Sequence, residues 1–132
     1  MAEAAGAPRM ALVDSGAPLA AEGAAALRER FSWVPVEEAD LVVALGGDGF
    51  MLQTLHQMLD QGRILPVFGM NRGTVGFLMN DWRIDNLIER IQQARSITVR
   101  PLIVSITTVS GERHLLPAIN ELSLLRETRQ TA

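Results

Sequence analysis

The chain contains no cysteine. Disulfide scaffolds and thiolate metal sites are therefore excluded, and a reducing compartment is permitted. It also lacks lysine, since all 12 of its Lys and Arg residues are arginine. Charged residues make up only 20% of the chain and the formal net charge is −3, so there is no basic footprint for nucleic acid. The arginine excess reads first as compositional bias, although a planar guanidinium suits phosphate partners. No apolar stretch approaches the length needed to cross a bilayer. The start, Met1 to Pro8, carries an early acid and nothing resembling a basic, apolar leader. The expectation is a cytoplasmic protein that engages neither membrane nor nucleic acid.

What is present is material for a core: 48% hydrophobic residues in 132, enough for one domain or one domain plus part of another. Residues 1–8 read as a loose tail. Met10 to Val13 is a short apolar run with the look of a buried strand. Pro18 suits a first helical turn, and the alanine-rich stretch Leu19 to Arg30 predicts a helix. Phe31 to Val36 reads as a second short strand, followed by the strand Leu41 to Leu45. Phe50 to Gln61 places Met51, Leu55, Met58 and Leu59 at helical spacing, with Gly62 as a stop. Ile64 to Gly69 predicts another buried strand, weakened at its start by Pro66. Asp81 to Ala94 predicts a helix with Asp81 and Asp85 at its start. This alternation of strands and helices argues a Rossmann-like α/β domain over residues 9–96, with a mostly parallel sheet and flanking helices. The composition then shifts. Ile97 to Val109 and His114 to Leu125 read as antiparallel strands joined by a turn at Ser110-Gly111, so residues 97–132 are expected to open a β-rich second domain.

Three stretches carry candidate chemistry. The first is Gly46-Gly47-Asp48-Gly49-Phe50, where an apolar strand runs into glycines and then directly into a helix. Glycines admit phosphates close to the backbone, and a helix start offers unpaired N–H groups. The carboxylate of Asp48 cannot bind phosphate by charge, so it has another task, such as accepting a hydrogen bond from a hydroxyl or holding a metal. An Asp-Gly pair alone is a common turn. Its place at the end of a buried strand is what raises it, because α/β sheets bind ligands there. The second stretch is Asn71-Arg72-Gly73-Thr74-Val75-Gly76-Phe77, also after a buried strand and therefore on the same edge of the sheet. Arg72 is either a phosphate contact or a solvated loop arginine. The third is Asn120-Glu121 inside a late apolar stretch, where adjacent residues of a strand point to opposite faces. His56 reads as a partly exposed residue of its helix more than as a base, and His114 begins a strand with no acidic or nucleophilic partner in view. Trp33, Trp82 and the six methionines read as packing.

Together these stretches resemble the NAD kinases, at Gly46-Gly47-Asp48-Gly49, at Gly69 to Leu78 and at Asn120-Glu121. The order and spacing match, over roughly residues 9–128. The Gly-Gly-Asp-Gly element alone also resembles diacylglycerol, sphingosine and ceramide kinases, and the other two stretches single out the NAD kinases. Arg126-Glu127-Thr128-Arg129-Gln130 is similar to alphaproteobacterial members.

The resemblance implies transfer of a phosphoryl group from magnesium-ATP, or polyphosphate, to the adenosine-ribose 2′-hydroxyl of NAD. It implies Asp48 as the catalytic aspartate and Gly46, Gly47, Gly49 and Phe50 as the phosphate-approach turn. It further implies Asn120 and Glu121 at the adenosine end, Phe77 lining the adenine side, Asn71 in the nucleotide site and Arg72 as a possible phosphate contact. Mg2+ would enter with ATP, no protein metal site is expected, and the complete enzyme would be a homodimer or homotetramer. Family members continue into a β-rich domain, so residues 97–132 would be its opening strands and this chain alone an incomplete enzyme. A lipid kinase and a non-catalytic nucleotide-binding or assembly module are the competing readings.

Overall fold

The structure, a computed structural model, describes residues 8–73, 76–99, 105–107, 113–115 and 122–127. Five strands form one sheet in the order β1-β2-β3-β7-β4, where β1 is Met10–Asp14, β2 Leu41–Gly46, β3 Val67–Asn71, β4 Arg95–Val99 and β7 Leu122–Arg126. β1, β2, β3 and β7 run parallel, and β4 is antiparallel to β7. Two short strands, β5 (Ser105–Thr107) and β6 (Arg113–Leu115), pair antiparallel apart from this sheet.

β2 is buried along its whole length because both faces of the sheet are covered. Its alternation sorts the core into two layers. Leu41, Val43 and Leu45 pack with Phe68, Met70 and the inner faces of helices α1 (Pro18–Arg30) and α3 (Leu87–Gln93). Val42 and Ala44 pack on the other side with Val67, Leu122, Leu124 and the Met51, Leu55 and Met58 face of helix α2 (Asp48–Gln61). Ala20, Gly23 and Ala24 bring α1 close to the sheet, and the Trp82 ring lies against Gly23. Arg28 and Arg30 in the last turn of α1 sit favourably at the negative end of the helix.

The expected parallel α/β architecture is present, with three local differences. Phe31 to Val36 is not a strand. Val34 N–H reaches the Met10 carbonyl at 2.9 Å, but Pro35 has no donor and Val36–Glu38 closes into a single 3-10 turn. The Trp33 indole donates instead to Leu27 O at the end of α1 (3.0 Å), and its ring meets Phe31 edge-on. The helix expected from Asp81 starts only at Leu87, and neither Asp81 nor Asp85 caps it. Asn86, with φ of 57°, occupies the cap position. The carbonyls of Asp81 and Arg83 face the Arg90 guanidinium instead, which holds this segment out of helical geometry. The late strands do pair antiparallel, as β4 with β7 and β5 with β6, but β7 also docks parallel against β3. Residues 95–99 and 122–126 thus complete the first sheet. The Ser110-Gly111 turn lies outside the described residues.

Two outcomes test this account. Leu45 is fully buried between β2 and the helices on its side. Leu45→Ala is expected to lower stability by about 2–5 kcal/mol, read as a reduced urea midpoint. At the start of β1, Asp40 accepts the Arg9 backbone N–H at 3.0 Å and faces its guanidinium at 3.5 Å. The N–H bond foremost, opposed by slight desolvation and aided by the guanidinium, holds the Asp40 carboxyl below its ordinary 3.8. A carboxyl depressed by folding contributes stability above its unfolded value and loses it as pH falls through the folded one. The pair is exposed, so the increment is small. The stability gap between the parent chain and Asp40→Asn is therefore expected to close below about pH 4.

Candidate functional site

The C-terminal ends of the parallel strands meet along one edge. Asp14 aligns with Leu45, and Gly46 with Asn71. Ser15 N–H donates to Leu45 O at 3.0 Å and Arg72 N–H to Gly46 O at 2.9 Å, so the loops after β1 and β3 are both tied to the end of β2. This is the edge on which open α/β sheets place their ligands.

Asp48 occupies the first turn of α2, where a negative charge sits favourably. Its carboxylate does not point into empty space. Oδ2 accepts the Phe77 N–H at 2.7 Å and Oδ1 the Leu78 N–H at 2.9 Å. The two glycine loops, 29 and 30 residues apart in sequence, are thereby joined through one side chain. Gly76 makes room for this, because a Cβ there would overlap the Asp48 carboxylate. Gly46 is needed for a related reason: a Cβ would press on the Phe50 side chain, at 3.0 Å from its Cβ and 3.1–3.2 Å from its ring. Gly49, by contrast, faces open space. Gly47 holds the N-cap position with extended backbone, and its carbonyl accepts Met51 N–H at 3.0 Å.

The remaining expected residues fall as follows. Asn71 ends β3, and its Oδ1 is buried with no hydrogen-bond partner among the described residues. Arg72 lies with its guanidinium 4.5 Å over the Trp82 ring, and its Nε donates to Leu19 O at 3.2 Å. Phe77 is 90% exposed, and its N–H holds Asp48. Asn120 and Glu121 lie outside the described residues. His56 and Asp60 form an exposed pair at 3.5 Å on the outer side of α2. A shallow groove there, lined by Gly49, Leu52, Gln53, His56 and Gln57, reaches the turn only through Gly49. Among the described residues, no group of three or more His, Asp or Glu side chains converges as a metal site.

Sequence reasoning missed the residues that hold the second loop in place. The β3–β7 ladder stops after Phe68 and Leu125, and Asn80, 2% exposed, enters beside β3 at that point. Its amide donates to the carbonyls of Gly69 and Leu125, both at 3.0 Å, and its Oδ1 accepts Glu127 N–H at 2.8 Å. Its backbone bonds Gly69 O and Asn71 N. Glu127 in turn pairs with the buried Arg90 and, at 3.5 Å, with Arg83. A polar residue in an apolar run was the only signal for Asn80, and its partners are mostly backbone atoms.

Fold and candidate site together define an α/β domain with two glycine loops joined at the C-terminal edge of its parallel strands. The ATP-NAD kinase N-terminal domain pattern matches residues 21–95. The chain belongs to the NAD kinase family. It is 68% identical over 124 residues to an NAD kinase of Rhizorhabdus wittichii and 58% identical to one of Zymomonas mobilis, each match covering 94% of this chain and 48% of the relative. An NAD kinase of Caulobacter vibrioides is 46% identical over 94% of this chain and 47% of its own length. The chain spans about half the length of the curated relatives it matches.

The glycines separate cleanly in their expected response. Gly76→Ala should break the Asp48 contacts, costing about 1–3 kcal/mol and speeding amide exchange at Phe77 and Leu78. Gly49→Ala, inside a helix and facing open space, should leave the melting temperature unchanged or raise it.

Proposed function

We propose that this chain supplies the phosphoryl-acceptor half of an NAD kinase site. The reaction transfers the terminal phosphoryl group of ATP, or of polyphosphate, to the adenosine-ribose 2′-hydroxyl of NAD and yields NADP. The observation that carries this reading is the Asp48 carboxylate, fixed by two backbone N–H groups at a strand end. A carboxylate has about four lone-pair positions, and one N–H at each oxygen leaves acceptor capacity for a hydroxyl.

In this reading Asp48 orients the 2′-hydroxyl and takes its proton late. Phosphoryl transfer passes through a loose transition state in which positioning dominates, so no strong base is required. Gly46, Gly47, Gly49 and Phe50 form the turn that the phosphates approach. Asn71 offers a buried acceptor, and Arg72, parked on Trp82, is the cation tied to the same edge. Phe77 would line the adenine side, and its exposed ring is free to meet a base. The roles of Asn120 and Glu121 at the adenosine end rest on the family pattern. Magnesium enters with ATP as part of the substrate. The complete protein would act in the cytoplasm as a homodimer or homotetramer on small nucleotides, without membrane or nucleic acid. Family membership speaks against the lipid-kinase reading.

The full-length protein is expected to form NADP from NAD and magnesium-ATP; no NADP would leave the non-catalytic module as the better reading. Asp48→Asn should keep dinucleotide affinity, measured by calorimetry, while turnover falls about a hundredfold or more. Near-normal turnover in that variant would overturn the role given to Asp48.

A further inference from the structure

The end of β7 reaches the same loop from the far side. Arg126 Nη1 donates to the Phe77 carbonyl at 2.8 Å and to the Met79 carbonyl at 2.7 Å. The Phe77 carbonyl and the Leu78 N–H belong to one peptide unit. That unit therefore receives a cation at its oxygen and gives its proton to Asp48 Oδ1 at 2.9 Å. The second carbonyl repeats the arrangement: the Met79–Asn80 unit accepts from Arg126 and donates Asn80 N–H to Gly69 O at 2.7 Å. Hydrogen bonds in such a chain polarise one another, and a charged donor is the stronger kind. The base from which Arg126 springs is itself fixed, since Glu127 is held by Arg90, Arg83 and Asn80.

We propose that Arg126 is a positioning residue for Asp48, acting through the Phe77–Leu78 peptide, which it both clamps and polarises. Its effect is on where the carboxylate sits and how firmly it is held, and it makes no contact with the nucleotide. The proposal rests on the reading of Asp48 as the group that meets the ribose hydroxyl.

The test uses the full-length protein with Arg126→Met and Arg126→Lys, each alone and combined with Asp48→Asn. The first readout is independent of activity. Amide exchange at Leu78 is expected to quicken about tenfold or more in Arg126→Met and less in Arg126→Lys, whose ammonium still donates. The second readout is kinetic. In Arg126→Met, kcat should fall about tenfold or more while KM for NAD stays within about threefold. Adding Arg126→Met to Asp48→Asn should cause little further loss, because residues acting through one contact are not additive. Unchanged exchange at Leu78, a raised KM with kcat intact, or losses that multiply in the double variant would each overturn the proposal. If Arg126→Met does not fold, Arg126→Lys decides by the same criteria. Absence of NADP formation in the parent protein would defeat the kinase reading, while the exchange readout would still decide whether Arg126 holds the loop.

Discussion

One side chain joins the two loops on which this domain's ligand edge depends. The Asp48 carboxylate accepts two consecutive backbone N–H groups from a loop some 30 residues further on. Each oxygen takes one donor, so the carboxylate plane is fixed in two directions at once. That geometry requires a chain without a side chain at Gly76 and a turn tight enough at Gly46 for Phe50 to close over it. The glycines therefore matter here through close approach more than through backbone freedom. The Arg72 N–H bond to Gly46 O already ties the loops at their base, and the carboxylate adds the tie further out, so whatever fixes the second loop also fixes Asp48.

The second loop is held from beneath by a polar wedge. Where β3 and β7 stop pairing, Asn80 supplies the missing donors and acceptors. A buried amide with every group satisfied specifies one arrangement, because any shift would leave unpaired polar atoms at a cost of about 1–3 kcal/mol each. The Arg90–Glu127 pair works in the same sense. Desolvation offsets much of the attraction in a buried ion pair, so its value lies more in fixing position than in net stability. Arg90 also takes the carbonyls of Asp81 and Arg83, and its guanidinium lies 5.5 Å from the Phe68 ring centre. The end of β7, helix α3 and the Asp81–Arg83 segment before it are thus held as a unit against the core.

What could be read in advance follows from this division. β2, α1 and α2 were legible because their burial is periodic and local. A continuous apolar run reads as a strand covered on both faces, and Met51, Leu55 and Met58 read as one helical face. The Gly46 to Gly49 turn was legible as the passage from β2 into α2 because an apolar strand runs straight into it. The coil at Phe31–Pro35 and the shortened α3 were not, since long-range donors from Trp33 and Arg90 overrode local propensity. The parallel docking of β7 on β3 has no local signature, as it pairs segments more than fifty residues apart. The partners of Asp48 are backbone N–H groups, which every residue but proline carries and no sequence motif displays.

The bonds that fix Asp48 also constrain the chemistry it can perform. Two accepted N–H bonds, one at each oxygen, place the carboxylate as an acceptor and leave it lone pairs for a further donor. A reaction limited by proton removal gains little from such placement alone. Phosphoryl transfer is well served, because its barrier falls chiefly through alignment of the attacking oxygen and the proton leaves as the new bond forms. Under the proposed function, a carboxylate held at both oxygens with acceptor capacity to spare meets the requirement for orienting one hydroxyl among the several that a dinucleotide presents.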